Sequence, residues 1–82
     1  MNNIQEGNEM VKVFTKPNCR DCESTKRWLK GHDVDFVEVS LTDAVRDELL
    51  DEGWARMPVV KVGDVAWSGF SRVALEKNFG GV

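Results

Sequence analysis

Both cysteines of this chain lie in one tetrapeptide, Cys19-Arg20-Asp21-Cys22. A secreted scaffold held by disulfides uses more cysteines and spreads them along the chain, so that they close long loops. A disulfide between Cys19 and Cys22 closes almost no loop, and it therefore stabilises a fold very little. Two cysteines at this spacing indicate chemistry, either redox exchange in a cytosolic chain or half of a metal site.

The residues around this pair predict a strand followed by a helix. Met10–Phe14 is a short, mostly apolar run of β-formers, and Pro17 ends it because proline cannot continue a ladder. A helix is predicted from about Cys19 to Gly31, a residue type common just after helices. A second strand is predicted over 33–39.

The next segment predicts a second helix and a hairpin. Thr42 is a good N-cap, and Gly53 is placed to end the helix. Val59–Val62 and Val65–Trp67 are β-forming runs separated only by Gly63-Asp64, which is the length of a tight hairpin turn.

A last helix is predicted from about Gly69 to Asn78, with Phe70, Val73 and Ala74 on its buried side. The order is then β-α-β-α-β-β-α, an α/β fold. Alternating strands and helices predict a parallel pair, and the hairpin adds antiparallel strands. We therefore expect a four-stranded mixed sheet with three helices.

The length and charge of the chain further restrict the functions that it could have. With 82 residues it has room for one domain, which we place at 10–82 behind a flexible leader at 1–9. Basic residues are neither in excess nor massed in one run, since the net charge is −3, so we expect no nucleic-acid partner. No apolar run is long enough to span a membrane, and the leader lacks the features of a secretion signal. We expect a cytoplasmic monomer.

The spacing of the cysteines suggests how they react. Cys19 would lie at the start of a helix, where backbone N–H groups and the helix macrodipole favour the thiolate. This thiolate can attack a partner's disulfide, and Cys22 can then attack the mixed disulfide and release the reduced partner. We expect Cys19 and Cys22 to be the catalytic residues, and the cycle needs no cofactor in the protein.

Polar side chains near the pair should tune it. Arg20 should favour the Cys19 thiolate and Asp21 should oppose it, so the sign of their sum is open. We expect five side chains to support the thiolate: Thr15, Lys16, Arg20, Thr25 and Lys26.

A non-catalytic metal-binding module is an alternative from a different class. Structural zinc usually has four protein ligands, and this chain has two cysteines and one histidine, His32. Cysteine pairs from two chains could together hold zinc or an iron–sulfur cluster. For a single chain, we expect no metal.

With these residues placed, the chain resembles the NrdH group of glutaredoxin-like redoxins, within the thioredoxin superfamily. The resemblance runs from about Met10 to Phe79 and rests on Phe14–Cys19, on Cys22 with Thr25-Lys26, on Met57–Val60 and on Trp67–Phe70. It implies a thioredoxin-like fold, electron donation to ribonucleotide reductase, recharging by thioredoxin reductase, and little use of glutathione. A glutathione-linked glutaredoxin is the alternative within the same class.

The resemblance also implies how a partner binds. In this group the proline that matches Pro58 is cis and faces the cysteine pair, which would direct the Met57 backbone at an extended partner segment. Four further residues would form an adjacent docking rim: Trp67, Ser68, Gly69 and Phe70. The dipeptide Arg20-Asp21 departs from the Val-Gln or Met-Gln common in the group.

Overall fold

A computed structural model of the chain describes residues 10–80. The predicted leader at 1–9 lies outside them, as do residues 81–82. Seven elements follow in the predicted order. They are β1 (Val11–Thr15), α1 (Arg20–Gly31), β2 (Val37–Ser40), α2 (Asp43–Asp51), β3 (Val59–Val62), β4 (Val65–Ser68) and α3 (Arg72–Phe79). Within residues 10–80, no helix combines the length and the apolar character that crossing a bilayer requires.

The four strands form one mixed sheet in the order β2-β1-β3-β4. β1 pairs parallel with β2, with Phe14 opposite Val39, and antiparallel with β3, with Phe14 opposite Val59. β3 pairs antiparallel with β4 through the two-residue turn, where Gly63 has a φ of 57°. The positive φ is the reason for a glycine at the first position of this turn. The predicted mixed sheet and hairpin are confirmed.

Alternation along the strands builds two core clusters on the two faces of the sheet. Val59 and Val60 are both fully buried but belong to different clusters, because neighbouring residues of a strand point to opposite faces. The first cluster joins β1 and β3 to α1 and α3, and its buried members are Val11, Val13, Leu29, Val60 and Leu75. The second joins β3 to α2 and to the cysteine pair, and its buried members are Cys22, Leu49, Met57 and Val59.

The predicted second helix is confirmed at both ends. The Thr42 hydroxyl accepts the Val45 N–H at 3.2 Å, which satisfies one of the open donors of the first turn. Gly53 follows the end of α2 with a φ of 97°, a conformation that side chains other than glycine rarely adopt.

The boundary between α1 and β2 differs from the prediction. Gly31 is the last helical residue, and Asp33, with a φ of 58°, takes the left-handed conformation beyond the cap. The Val34 N–H still donates to the Leu29 carbonyl at 2.9 Å, so the chain is leaving the helix where a strand was expected. β2 therefore starts at Val37.

The start of α3 also differs, and with it the buried face of this helix. The helix begins at Arg72 because the Ser71 hydroxyl caps it by accepting the Ala74 N–H at 3.2 Å. Val73 was expected to be buried but is 77% exposed, whereas Leu75 is fully buried. Two residues correspond to about 200° around a helix, so Val73 and Leu75 cannot share a face.

Candidate active site

A tight turn after β1 delivers Cys19 to the start of α1. Pro17 and Asn18 form this turn, and Asn18 takes a φ of 56°. Asparagine adopts this left-handed conformation more readily than other residues with a Cβ atom. Cys19 is then extended and serves as the N-cap, with its Sγ accepting the backbone N–H of Cys22 at 3.1 Å.

The two cysteines form a disulfide, with their Cα atoms 5.2 Å apart. Their surroundings differ strongly, because Cys22 is fully buried whereas Cys19 is only half-buried. Cys19, the outer cysteine, is therefore the one of the pair that is exposed to solvent, and Cys22 is the inner one. The inner sulfur lies in the cluster that also contains Leu49 and Val59.

The segment before β3 runs past the outer sulfur. The peptide bond between Met57 and Pro58 is cis, and the Met57 carbonyl oxygen lies 3.9 Å from the Cys19 Sγ. The Pro58 carbonyl accepts the N–H of Gly69 at 2.8 Å, which ties this segment to the turn after β4. Both residues are buried, with Met57 8% exposed.

An open cleft beside Cys19 carries most of the charge of the site. Its charged lining residues are Lys16, Arg20, Asp21 and Arg56. The Arg56 Nη2 lies 3.9 Å from the Asp21 Oδ2, so the residue before Met57 is paired with the dipeptide between the cysteines. Arg56 was not singled out from the sequence. Its position next to Met57-Pro58, a segment already assigned to partner binding, was the available signal.

Two of the predicted supporting residues belong to an ion-pair network around Glu38. The Thr15 hydroxyl donates to the Glu38 Oε2 at 2.8 Å, and the Lys26 ammonium donates to the same oxygen at 3.0 Å. Lys26 also lies 3.1 Å from the Glu23 Oε2. Its hydrogen bond to Glu38, and then the one to Glu23, raise the pKa of Lys26. The bonds from Lys26 and then Thr15 lower the pKa of Glu38.

Glu38 was also missed from the sequence, because its place beside Thr15 follows from the register of β1 with β2, which only the structure shows. Ser40 is the parallel partner of Thr15, and Glu38 precedes Ser40 by two residues. Residues two apart on a strand share a face of the sheet, so Glu38 and Thr15 face the same helix.

The other predicted residues lie within the protein rather than along the cleft. Thr25 is fully buried on α1, and its Oγ1 has no hydrogen-bond partner among the described residues. Trp67 and Phe70 are half-buried against the first core cluster, and the Trp67 ring lies 6.2 Å from that of Phe79. Gly69 is buried and Ser68 half-buried. Of the predicted residues, the structure brings Lys16, Arg20 and Met57 to Cys19.

Comparison with known proteins identifies the family. Residues 11–67 match the family model described as glutaredoxin. The glutaredoxin-like protein NrdH of Salmonella typhimurium is 37% identical over 62 residues, which cover 73% of this chain and 76% of that protein. The NrdH of Lactococcus lactis is 33% identical over 70 residues, covering 83% and 97%. The chain belongs to the glutaredoxin family, among its NrdH-type redoxins.

A solved structure supports the same assignment for this NrdH-type redoxin. The NrdH-redoxin of Escherichia coli superposes with a TM-score of 0.80 at 27% identity, covering 83% of this chain and 92% of that one. The fold is therefore thioredoxin-like, as the resemblance implied. The family and the Cys19–Cys22 pair together make this redoxin a thiol–disulfide oxidoreductase.

Proposed function

We propose that the redoxin carries electron pairs between proteins, with Cys19 as the nucleophile and Cys22 as the resolving thiol. The Cys19 thiolate attacks one sulfur of a partner's disulfide and forms a mixed disulfide, and the other partner sulfur leaves as a thiolate. The Cys22 thiolate then attacks the Cys19 sulfur, which closes the internal disulfide and expels the second partner thiolate. The partner gains two electrons, and the redoxin loses two.

The observation that carries this assignment is the unequal burial of the two sulfurs. Cys22 is fully buried and Cys19 is half-buried, so a partner disulfide can approach Cys19 alone. The N–H of Cys22 already donates to the Cys19 Sγ, a contact that strengthens when the sulfur carries a negative charge. It stabilises the outer thiolate both as nucleophile and as leaving group.

The partner is proposed to bind as an extended segment along Met57. The carbonyl of Met57 lies 3.9 Å from the Cys19 Sγ, so a segment whose disulfide reaches this sulfur also reaches the Met57 backbone. Strand-like hydrogen bonds to that backbone would hold the partner during exchange. Pro58 ties this segment to the turn after β4, because its carbonyl accepts the N–H of Gly69. Trp67 to Phe70, which contain this turn, stay the proposed docking rim, although the Trp67 and Phe70 side chains pack against the first core cluster.

Five side chains are proposed to support the thiolate by three routes. Lys16 and Arg20 act directly, as cations lining the cleft with Cys19. Thr15 and Lys26 act through Glu38, by holding α1 against β1 and β2. Thr25 acts from within the helix, one turn after Cys22.

In the cell, we propose that the redoxin donates electrons to ribonucleotide reductase and is recharged by thioredoxin reductase, as a cytoplasmic monomer. The relatives that share its family are NrdH proteins, and the E. coli NrdH-redoxin is described by its thioredoxin-like activity profile. Both observations concern the relatives, and their extension to this redoxin is part of the proposal. The cytoplasmic location rests on the confinement of both cysteines to one reactive tetrapeptide.

The test is NADPH oxidation in the presence of a protein disulfide, with two recharging systems run side by side. One reaction contains thioredoxin reductase, and the other contains glutathione and glutathione reductase. We expect turnover with thioredoxin reductase and background rates with glutathione, and reduction of oxidised ribonucleotide reductase when it is the substrate. Turnover with glutathione alone would assign the protein to the glutathione-linked glutaredoxins.

If NADPH oxidation stayed at the background rate in both reactions, the result would favour the metal-binding alternative. The purified protein would then hold about one metal or cluster per two chains, because four thiolates are needed and each chain supplies two. Cys19→Ser is the matched control, since it would remove the metal as well as any exchange.

A further inference from the structure

The cleft beside Cys19 has a charge opposite to that of the chain as a whole. Its charged lining consists of Lys16, Arg20, Asp21 and Arg56, so it holds three cations and one carboxylate. The complete chain has a net charge of −3. A local excess of positive charge around the reactive sulfur gives the cleft an electrostatic preference that the rest of the protein does not share.

Two guanidinium groups are available to a partner in this cleft. Arg20 is exposed, and among residues 10–80 it lies within ion-pair distance of no carboxylate. Arg56 is 76% exposed and contacts Asp21 at 3.9 Å, near the limit for an ion pair. A guanidinium carries five N–H donors, so this single contact leaves Arg56 able to bind a second carboxylate.

The two arginines flank the path proposed for the partner. Arg20 directly follows Cys19, and Arg56 directly precedes Met57. The end of the Arg56 side chain lies next to Asp21, while the Arg56 Nε lies 3.9 Å from the position that a Cβ atom on Gly69 would occupy. The Arg56 side chain therefore lies between the cysteine dipeptide and the turn after β4.

We propose that this cleft selects protein disulfides carried in acidic segments, with Arg20 and Arg56 as the residues that determine specificity. A partner segment that places its disulfide at Cys19 and its backbone along Met57 brings the residues beside its cysteines over the two guanidiniums. Carboxylates there gain attraction, and lysines there meet repulsion. This inference rests on the proposed exchange mechanism and adds the chemistry of its substrate.

The effect acts on the first step of exchange, the attack of the Cys19 thiolate on the partner disulfide. Solvent-exposed charge pairs are weak, so each guanidinium should change the rate by about two- to fivefold at low salt. High salt screens exposed charges and should remove most of this preference.

The test uses three peptides of equal length that contain one internal disulfide, with its cysteines flanked by Asp, Asn or Lys. The fully reduced redoxin is mixed with each peptide at low salt, and the first-order appearance of peptide thiols is followed. We expect rates in the order Asp, Asn, Lys, converging at high salt. The variants Arg20→Gln and Arg56→Gln should each lower the Asp-to-Asn rate ratio by about two- to fivefold.

Using a ratio makes the test specific for substrate charge. The Asp and Asn peptides meet the same thiolate, so any change that Arg20→Gln causes in the reactivity of Cys19 itself cancels. Lys77→Gln is the matched control, because it removes an exposed cation from α3 outside the cleft and should leave the ratio unchanged.

Equal rates for the Asp and Asn peptides at low salt would overturn the inference and leave the exchange mechanism standing. So would a ratio that neither arginine variant changes. Failure of the wild-type protein to reduce any of the peptides would instead overturn the exchange mechanism on which the inference rests.

Discussion

The backbone N–H of Cys22 donates to the Sγ of Cys19 at 3.1 Å, which makes the outer sulfur the N-cap of α1. In most helices a Ser, Thr, Asp or Asn oxygen occupies this position. Here the capping atom is also the proposed nucleophile, so the negative charge expected to develop on it during exchange would meet an N–H donor already in place.

This relationship predicts different results when each cysteine is replaced by serine. Cys19→Ser should reduce turnover to the rate without redoxin, because the buried Cys22 cannot reach a partner disulfide. Cys22→Ser should still attack, but it should accumulate as a mixed disulfide with its partner because no resolving thiol is present. Non-reducing electrophoresis and mass spectrometry of the complex measure this. Sustained turnover by Cys22→Ser with a protein disulfide would contradict the resolving role.

The turn that places Cys19 gives a second prediction, about Asn18. Its φ of 56° is easy for glycine, tolerable for asparagine and unfavourable for a β-branched residue. Asn18→Val should lower the free energy of unfolding by about 1–2 kcal/mol relative to Asn18→Gly. Urea unfolding of the oxidised proteins provides the comparison. Equal stability of the two variants would show that the backbone relaxes at this position.

Two apolar residues of α3 provide a third prediction. Leu75 is fully buried in the first core cluster, so Leu75→Ala should cost about 2–5 kcal/mol through lost contacts and the remaining cavity. Val73 is 77% exposed, and Val73→Ala should change stability by less than about 0.5 kcal/mol. Thermal unfolding of the pair measures both. A larger loss for Val73→Ala than for Leu75→Ala would reverse the orientation of the helix.

Much of this fold could be predicted because its signals are local. The strand before Pro17, the cap at Thr42 and the turn at Gly63 each depend on residues within a few positions of one another. The predicted start of α3 was wrong, although the residue that marks the true start also lies within the local sequence. Ser71 is a good N-cap residue, but Gly69 was taken as the start instead, and this error placed Val73 on the buried face.

The pairings within the site were harder to predict because they join distant parts of the chain. The contact between Asp21 and Arg56 requires the segment before β3 to lie against the start of α1, which no local pattern shows. The bonds from Thr15 and Lys26 to Glu38 likewise depend on the register of β1 with β2. Sequence motifs located the cysteine pair, and the tertiary structure determines which charges surround it.

The Glu38 network predicts a dependence of stability on pH. The bond from Lys26, and then that from Thr15, hold the pKa of Glu38 below its ordinary value of 4.5. Stability from this group is therefore present above about pH 4.5 and is lost as the pH falls through the lowered pKa. Glu38→Gln should be less stable than the wild type at neutral pH, by less than about 1 kcal/mol since both charges reach solvent. The difference should shrink as the pH falls through the lowered pKa of Glu38 and vanish below it.

Lys26 predicts the opposite dependence of stability on pH, with a loss of stability at high pH. Its pKa is raised, chiefly by the hydrogen bond to Glu38, so its contribution to stability is complete below its ordinary value of 10.5 and is lost as the pH rises through the raised pKa.

Glu48→Gln is the matched control for Glu38→Gln, because Glu48 is an exposed carboxylate outside this network. A difference between wild type and Glu38→Gln that does not shrink as the pH falls below 4.5 would contradict the network.

The buried hydroxyl of Thr25 gives the last prediction, a trade between stability and activity. Thr25 lies one turn after Cys22 on α1, both residues are fully buried, and the Thr25 Oγ1 has no hydrogen-bond partner among the described residues. A buried hydroxyl without a partner costs about 1–3 kcal/mol. Thr25→Val keeps the shape and removes the hydroxyl, so it should stabilise the oxidised protein by about 1 kcal/mol or more.

We expect the same variant to react more slowly once reduced. Reduction turns Cys22 from half of a disulfide into a group that can donate or accept a hydrogen bond, and residues three apart on a helix are neighbours. The Thr25 hydroxyl, which is unsatisfied in the oxidised protein, can then form a hydrogen bond with the Cys22 sulfur. Thr25→Val should slow the second step of exchange, the release of the partner by Cys22, whereas Thr25→Ser should retain it. Stopped-flow decay of the mixed disulfide measures this step. If Thr25→Val released the partner as fast as wild type, Thr25 would be a packing residue alone.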